Sequence, residues 1–308
     1  MEKKDFSEMF DEFYTKYNSE LEILRKKALF KIILIIVAPI VGLYVLIFPL
    51  GLMFIYENIF SLVVFGLVVM ISFAISKISN EYARTFKMSV IEKLIVSKNH
   101  DYIYIPESGV TATEYNASGY DKTWDRFYSE DGIVGTFNSM IKFTMSQVMT
   151  EENTRDSKGK RQVRTTFSGL YGIITLPDSV GGNIDIVEKS TLRKFSKYRI
   201  NLNSTEFEKY YDVIADNKIL ALKVINSKSI KDLIDLRIYF KETISIRIIG
   251  NKIFFKLSCG DVFAPSTLRG NIRFDSLYKY YRLIDLPRYI YDALISNIAD
   301  ADGNKELK

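Results

Sequence analysis

From Ile32 to Ile55 the chain carries 24 consecutive positions without a charge, and a second apolar stretch, Ile59 to Ser76, follows after only Tyr56-Glu57-Asn58. As helices rising about 1.5 Å per residue, the first would reach roughly 36 Å and the second, continued to Ile78, about 30 Å, each enough for the hydrocarbon core of a bilayer. A helical hairpin buried in a soluble core is the competing reading, but two such helices would leave more apolar surface than the rest of the chain can cover. The first run also begins only after a charged segment and is longer than the apolar part of a signal peptide. The pattern predicts a transmembrane helical hairpin over 32–78, kinked in its first span where Pro39 and Pro49 remove backbone donors.

On either side of the hairpin the period changes. Phe6, Met9, Phe10, Phe13, Tyr17, Leu21, Leu24 and Ala28 recur every three or four residues among charges, which predicts an amphipathic leader helix over 1–31. Its acidic residues Glu2, Asp5, Glu8, Asp11 and Glu12 disfavour an anionic lipid surface, so the leader is expected to pack on its own chain. A similar pattern through Tyr82, Phe86, Met88, Ile91, Leu94 and Ile95 predicts a stalk helix over 79–96.

Beyond it, 97–308 reads as one α+β domain. Strands are expected at Tyr102–Pro106, Gly109–Tyr115, through Ile133–Val148, at Gln162–Thr175, Ile184–Val187 and Tyr198–Leu202. Gly119–Tyr128 reads as irregular, and the charged run Glu151–Arg161 as a hairpin tip. A brief helix opens at Ser204 with Glu206 and runs through Tyr210, with further helices at Asn217–Ile225, Ser229–Phe240 (started by Ser227 or Ser229), Ser276–Tyr281 and Leu286–Ala299. Thr243–Ile249 and Lys252–Ser258 are β-branched and aromatic runs joined by Gly250-Asn251, a hairpin signature. The whole is therefore an α+β chain: leader helix, two-helix hairpin, stalk, then a domain with antiparallel hairpins.

Charge sets the expected orientation. Arg25, Lys26, Lys27 and Lys31 precede the first span and Lys77, Arg84 and Lys87 follow the second, whereas the connecting turn has only Glu57. Lys and Arg accumulate on the cytoplasmic side, which places both termini and the large domain there. A single cysteine, Cys259, rules out an internal disulfide framework. The formal net charge of +5 is mild and partly juxtamembrane, and no aromatic-plus-basic signature accompanies it, so nucleic acid is not an expected partner.

The stretch Tyr128-Ser129-Glu130-Asp131-Gly132-Ile133-Val134-Gly135-Thr136, the strand ending at Glu151-Glu152 with its charged tip, and Phe167-Ser168-Gly169-Leu170-Tyr171 carry a family likeness. So do Phe207-Glu208-Lys209-Tyr210-Tyr211-Asp212-Val213, the Gly250-Asn251 hairpin and Asp261-Val262-Phe263-Ala264-Pro265. Together, over roughly Leu24 to Pro265, they resemble the bacterial membrane proteins known as the domain of unknown function 3137 family. That resemblance implies the same leader, paired spans and cytoplasmic α+β domain in a bacterial inner membrane, and it carries over no catalytic residue. One departure is the helix after the Phe207 motif, which runs from Asp216 to Ser227 without the proline common in the family.

Candidate chemistry is sparse. His100 is the only histidine, so a triad has one possible base, with Cys259 or a serine as nucleophile, and no Gly-x-Ser-x-Gly elbow occurs. An exposed loop histidine and a small buried strand cysteine are the expected states. Ser168-Gly169-Leu170-Tyr171-Gly172 and Val180-Gly181-Gly182-Asn183 lack the lysine and spacing of a phosphate loop and read as turns. Glu130-Asp131 and Glu151-Glu152 are paired carboxylates, expected to be solvated turn residues or caps. Arg155, Lys158, Lys160, Arg161 and Arg164 form a basic tip, expected to be solvated, with anionic headgroups as the alternative contact.

Catalytic, cofactor-binding and metal-binding residues are accordingly expected to be none, and no cofactor is expected. The expected function is that of a membrane-anchored, non-enzymatic protein whose cytoplasmic domain is a protein-interaction or scaffold module, its partner unspecified and a homo-oligomer left open. The alternatives are a membrane-tethered enzyme using carboxylates such as Glu130 and Asp131, and transport, which two spans without an internal charge do not favour.

Overall fold

The computed structural model describes residues 2–50, 57–120, 124–190, 197–263 and 274–295. The chain forms two compact units, 1–91 with 264–277, and 92–263 with 278–308.

In the first unit α1 (Glu2–Leu50) is one helix of 49 residues, so the amphipathic leader and the described part of the first apolar run share a single helix whose winding continues through Pro39 and Pro49. The helix α2 (Glu57–Phe86) packs against it, and the chain then winds as a π-helix over Lys87–Ile91. Among the described residues, two segments are long and apolar enough to cross a membrane, Glu22–Val45 and Ser61–Lys98. Their large side chains point outward: Phe73 is 75% exposed, Leu62 73% and Phe65 70%. Ser72 donates its hydroxyl to the Val68 carbonyl at 2.8 Å, so that this polar group in the apolar stretch is satisfied within the helix. The expected turn at Tyr56 and the end of the first run lie outside the described residues.

The second unit opens with α3 (Glu92–Lys98) and β1 (Ile103–Ile105), followed by a short helix, α4 (Ala112–Ala117). Gly109–Tyr115, expected as a strand, is instead the approach to that helix and its first four residues. The Thr111 side chain accepts from the Glu114 backbone N–H while the Glu114 carboxylate accepts from the Thr111 N–H, a reciprocal cap that overrides weak local strand preference. The strands β2 (Arg126–Phe137), β3 (Ile141–Arg155) and β4 (Arg161–Thr175) form a long meander. Where one alternating run was expected through Ile133–Val148, the chain reverses at Asn138-Ser139-Met140, with Asn138 and Ser139 both left-handed (φ 49° and 61°). The charged tip is confined to Asp156–Lys160, closed by the Asp156 carboxylate, which accepts from the Lys158 and Lys160 N–H groups.

The remaining elements are β5 (Ile184–Glu188), β6 (Arg199–Ile200), a 3-10 turn at Phe207–Lys209, β7 (Tyr211–Ala215), α5 (Lys218–Val224), α6 (Ser227–Phe240), β8 (Ile244–Ile249), β9 (Lys252–Leu257), α7 (Phe274–Ile284) and α8 (Leu286–Leu294). The helix α6 is capped by the Asn226 side chain rather than by either serine after it. Gly250 (φ 59°) alone takes the left-handed conformation in the β8–β9 turn, as at the first central position of a type II′ turn.

All nine strands described join one antiparallel sheet in the order β1-β2-β3-β4-β9-β8-β5-β7-β6. Both faces are covered. On one, α4 sets Tyr115 into an aromatic cluster with Phe167, Tyr171, Val148 and Phe254, edged by Tyr120, Trp124 and Phe127. By the two-residue period of the strands, Met145, Gly172, Phe255 and Ile174 face the other way. Here α8 lies against β4 and α6 against α8. The Lys98 ammonium reaches Asp285 at 2.5 Å and lies over the Tyr281 ring, tying α3 to the α7–α8 corner.

Candidate functional site

The sheet domain carries an apolar cleft of about 570 Å³ at the end of the strands where β2 turns into β3. Four segments wall it: the β2–β3 loop with Met140 and Ile141, the β4–β5 loop with Leu176, Pro177 and Val180, α5 with Leu220 and Lys223, and α8 with Tyr291. Each is fixed by local bonding. The β4–β5 loop is tied to the β8–β9 turn by Leu176 N–H donating to the Asn251 carbonyl (2.8 Å), Val180 N–H to the Gly250 carbonyl (2.9 Å), and the Asn251 amide to the Leu176 carbonyl (3.2 Å). The start of α5 is set by Asn217, which accepts from the Leu220 N–H at 3.1 Å, and by Asp216, whose carboxylate takes both the backbone and side-chain N–H of Asn183. Tyr291 is held edge-on to Phe137, ring centroids 5.4 Å apart.

This volume falls within the roughly 300–1,000 Å³ of sites that hold small ligands or side-chain anchors. Lys223 and Asp178 are the charged groups of the lining, and the remaining walls are mainly apolar. Beside the cleft, α5 exposes Ile219 (82%) and Leu222, and the β2–β3 loop exposes Met140 (68%). Exposed large apolar side chains gathered at a concave surface are the chemistry of a docking site. Sequence reasoning missed this site because its walls come from four segments distant in the chain. The one local signal was Ile219 and Leu222, apolar residues that a seven-residue helix cannot bury together with Ala221 and Val224.

The paired carboxylates do not act as pairs. Glu130 is exposed, whereas Asp131 is fully buried, with φ 54°, in a register shift between Glu130 and Ile133. A bulge of this kind re-aims a side chain. The Asp131 carboxylate accepts from the Tyr104 hydroxyl, and burial together with that carboxylate pushes the Tyr104 phenol far above its ordinary pKa. For Asp131 the expected solvated turn is thus replaced by an internal hydrogen bond. Glu151 and Glu152 each take a cross-strand arginine, Arg126 at 3.5 Å and Arg164 at 2.9 Å.

The other sequence candidates separate as well. His100 sits exposed in the turn after α3, and Cys259 lies just past the end of β9, partly covered. Burial pushes the Cys259 thiol up to about 11. Ser168–Gly172 is not a turn but the middle of β4, and its glycines admit neighbours: a Cβ at Gly172 would meet the Phe255 ring at 2.2 Å. Val180–Asn183 is a turn and supplies Val180 to the cleft. Arg155, Lys158, Lys160, Arg161 and Arg164 are all exposed at the hairpin end. No group of three or more His, Cys, Asp or Glu side chains placed to hold a metal occurs among the described residues.

A crystal structure of the mycobacterial trehalose monomycolate transport factor A, TtfA, is similar over 66% of this chain and 97% of its own, at 8% identity and a TM-score of 0.32. No curated protein matches the chain. The family described as Protein of unknown function (DUF3137) matches residues 165–294, from the middle of β4 through α8. The Tyr128–Thr136 motif lies upstream of that match, while the Phe207 motif, the Gly250-Asn251 hairpin and three walls of the cleft lie inside it. The match over residues 165–294 thus supports the likeness read from the sequence, to the domain of unknown function 3137 family.

Proposed function

We propose that the chain is a membrane-anchored binding protein, held by the α1–α2 hairpin, whose sheet domain docks an apolar segment of a partner protein in the cleft between the β2–β3 loop, the β4–β5 loop, α5 and α8. The cleft carries this reading: it is concave, mainly apolar, and accompanied by exposed Met140, Ile219 and Leu222. Basic residues at the outer ends of both apolar runs support a hairpin with both termini cytoplasmic in a bacterial inner membrane, which puts the cleft in the cytoplasm. The enzyme alternative is weaker, because Glu130 and Asp131 do not present two carboxylates to one bound group and Asp131 is occupied by Tyr104.

A photo-crosslinking side chain placed at Ile219 in the full-length protein in cells is expected to give one adduct of defined mass. The same side chain at exposed Tyr128, on β2, is expected to give none. Leu220→Glu, which puts a charge on the cleft wall, should abolish the adduct without lowering the thermal unfolding temperature of the sheet domain. Equal labelling from both positions, or an adduct that survives Leu220→Glu, would exclude the cleft as the docking site.

A further inference from the structure

A second cavity, of about 540 Å³, lies wholly within the helical unit, between residues 23–31 of α1 and residues 78–85 of α2. We propose that it is a binding site for one anionic phospholipid, the headgroup held by Lys26, Lys27 and Lys31 and the acyl chains running along the apolar hairpin. This inference rests on the reading of α1 and α2 as membrane spans.

Its placement supports that occupant. The groove sits where the uncharged run of α1 begins, directly before exposed Ile33, Leu34 and Val37, and beside the part of α2 that follows exposed Met70 and Phe73. Its surface is therefore continuous with the one a bilayer would cover. On α2, positions 78, 81, 82 and 85 recur at helical spacing and bring Ile78, Glu81 and Tyr82 to one face. On α1, Phe30 supplies apolar surface between the lysines.

Charge selects the headgroup. The lining has three lysines against one carboxylate, Glu81. Neighbouring Arg25 is already taken by Glu22 at 2.9 Å. Long lysine stems lie along apolar walls while their ammonium groups stay at the polar end. A site of this form suits a phosphate-bearing amphiphile without a compensating amine, and a zwitterionic headgroup would set its own cation against the three lysines.

Native mass spectrometry of the full-length protein in detergent, with phosphatidylglycerol or phosphatidylcholine added, tests this. One phosphatidylglycerol is expected to be retained under conditions that strip phosphatidylcholine. Affinity should fall about fivefold for each of Lys26→Gln, Lys27→Gln and Lys31→Gln, in line with the contribution of one basic residue near an anionic surface. The triple arginine variant is expected to keep the lipid, and Glu81→Gln to bind it more tightly, so the result does not depend on a variant that fails to insert. Equal retention of the two lipids, or a triple glutamine variant that binds as the unaltered protein does, would overturn the site. Fractionation of the same cells separates this from failure of the anchor, since a protein recovered in the soluble fraction removes the hairpin reading itself.

Discussion

Alanine at Gly172 is expected to destabilise the sheet domain by about 2–3 kcal/mol, the upper part of the range for forcing an extra carbon into a packed core. Its Cβ would fall 2.2 Å from the Phe255 ring and 2.8 Å from the Met145 Cβ, and both neighbours are fully buried and cannot swing aside. Thermal unfolding of the purified protein measures the loss, and Phe255→Leu in the same chain should restore part of it. Cys259 gives a second test at this scale. Folding raises its thiol from an ordinary 9.0 to about 11 through burial. Between those values the unfolded chain holds fewer protons than the folded one, so the stability contributed by this group is complete below pH 9 and is lost as pH rises towards 11. At pH 8 its alkylation by iodoacetamide should be roughly a hundredfold slower in the folded protein than in urea, because only the thiolate reacts. With one cysteine in the chain the rate reports this site alone. The sequence identified both residues without their roles. Glycine in Ser168–Gly172 looked like a turn because close approach by a ring from a strand over eighty residues away leaves no local trace. Asp131 looked solvated because the bulge that turns it inward depends on pairing with β3.

Lys98 and Asp285 bind two elements far apart in sequence, and their side chains are only 12% and 8% exposed. Removing one partner of such a pair strands a charge in the interior, at a cost of about 3–5 kcal/mol, whereas replacing both with apolar residues of similar size is close to neutral. Lys98→Met and Asp285→Leu are therefore expected each to lower the unfolding free energy by several-fold more than the double variant does, as read in a double-mutant cycle. If the single losses simply add, the ion pair is not the tie between α3 and the α7–α8 corner. Legibility at this scale followed local chemistry. The Gly250-Asn251 hairpin and the Asn217 helix announce themselves through turn residues and caps, and the structure places them as expected, whereas the charged run Glu151–Arg161 is a tip only over Asp156–Lys160 because its ends pair as strand. Thr111-x-x-Glu114 carried a capping-box spacing that strand-like alternation from Gly109 obscured. The β2–β3 reversal has neither glycine nor proline, since Asn138 and Ser139 tolerate the left-handed conformation, and so it passed as continuous strand. Similarly, β7 was hidden because a strand buried on both faces shows no alternation of apolar and polar positions.

For the whole chain, the succession of N-terminal helix, two apolar helices and an antiparallel α+β sheet domain was legible because uncharged length and a change of period are properties of contiguous sequence. Strand order was not, since the β8–β9 hairpin enters the sheet between β4 and β5, an adjacency that depends on pairing across some eighty residues. The cleft inherits that difficulty, as its walls meet only once the sheet is assembled. What contiguous sequence does supply is an asymmetry of charge, and it leads to a prediction about topology. Seven basic residues stand at the outer ends of the two apolar runs, Arg25, Lys26, Lys27, Lys31, Lys77, Arg84 and Lys87, against Glu57 at the inner ends. Lys and Arg near span ends resist translocation, so the hairpin should insert with its short connection outside and both termini in the cytoplasm. A reporter active only in the cytoplasm should work when fused after Lys308 and fail when fused after Glu57, and one active only outside should do the reverse. Replacing the four basic residues before the first span with glutamine, while adding lysines beside Glu57, weakens that asymmetry and should yield a mixed population of both reporters. A cytoplasmic signal from both fusions in the unaltered chain would mean that the hairpin does not cross, and the exposed apolar surface of α1 and α2 would then have to be covered by protein instead of lipid.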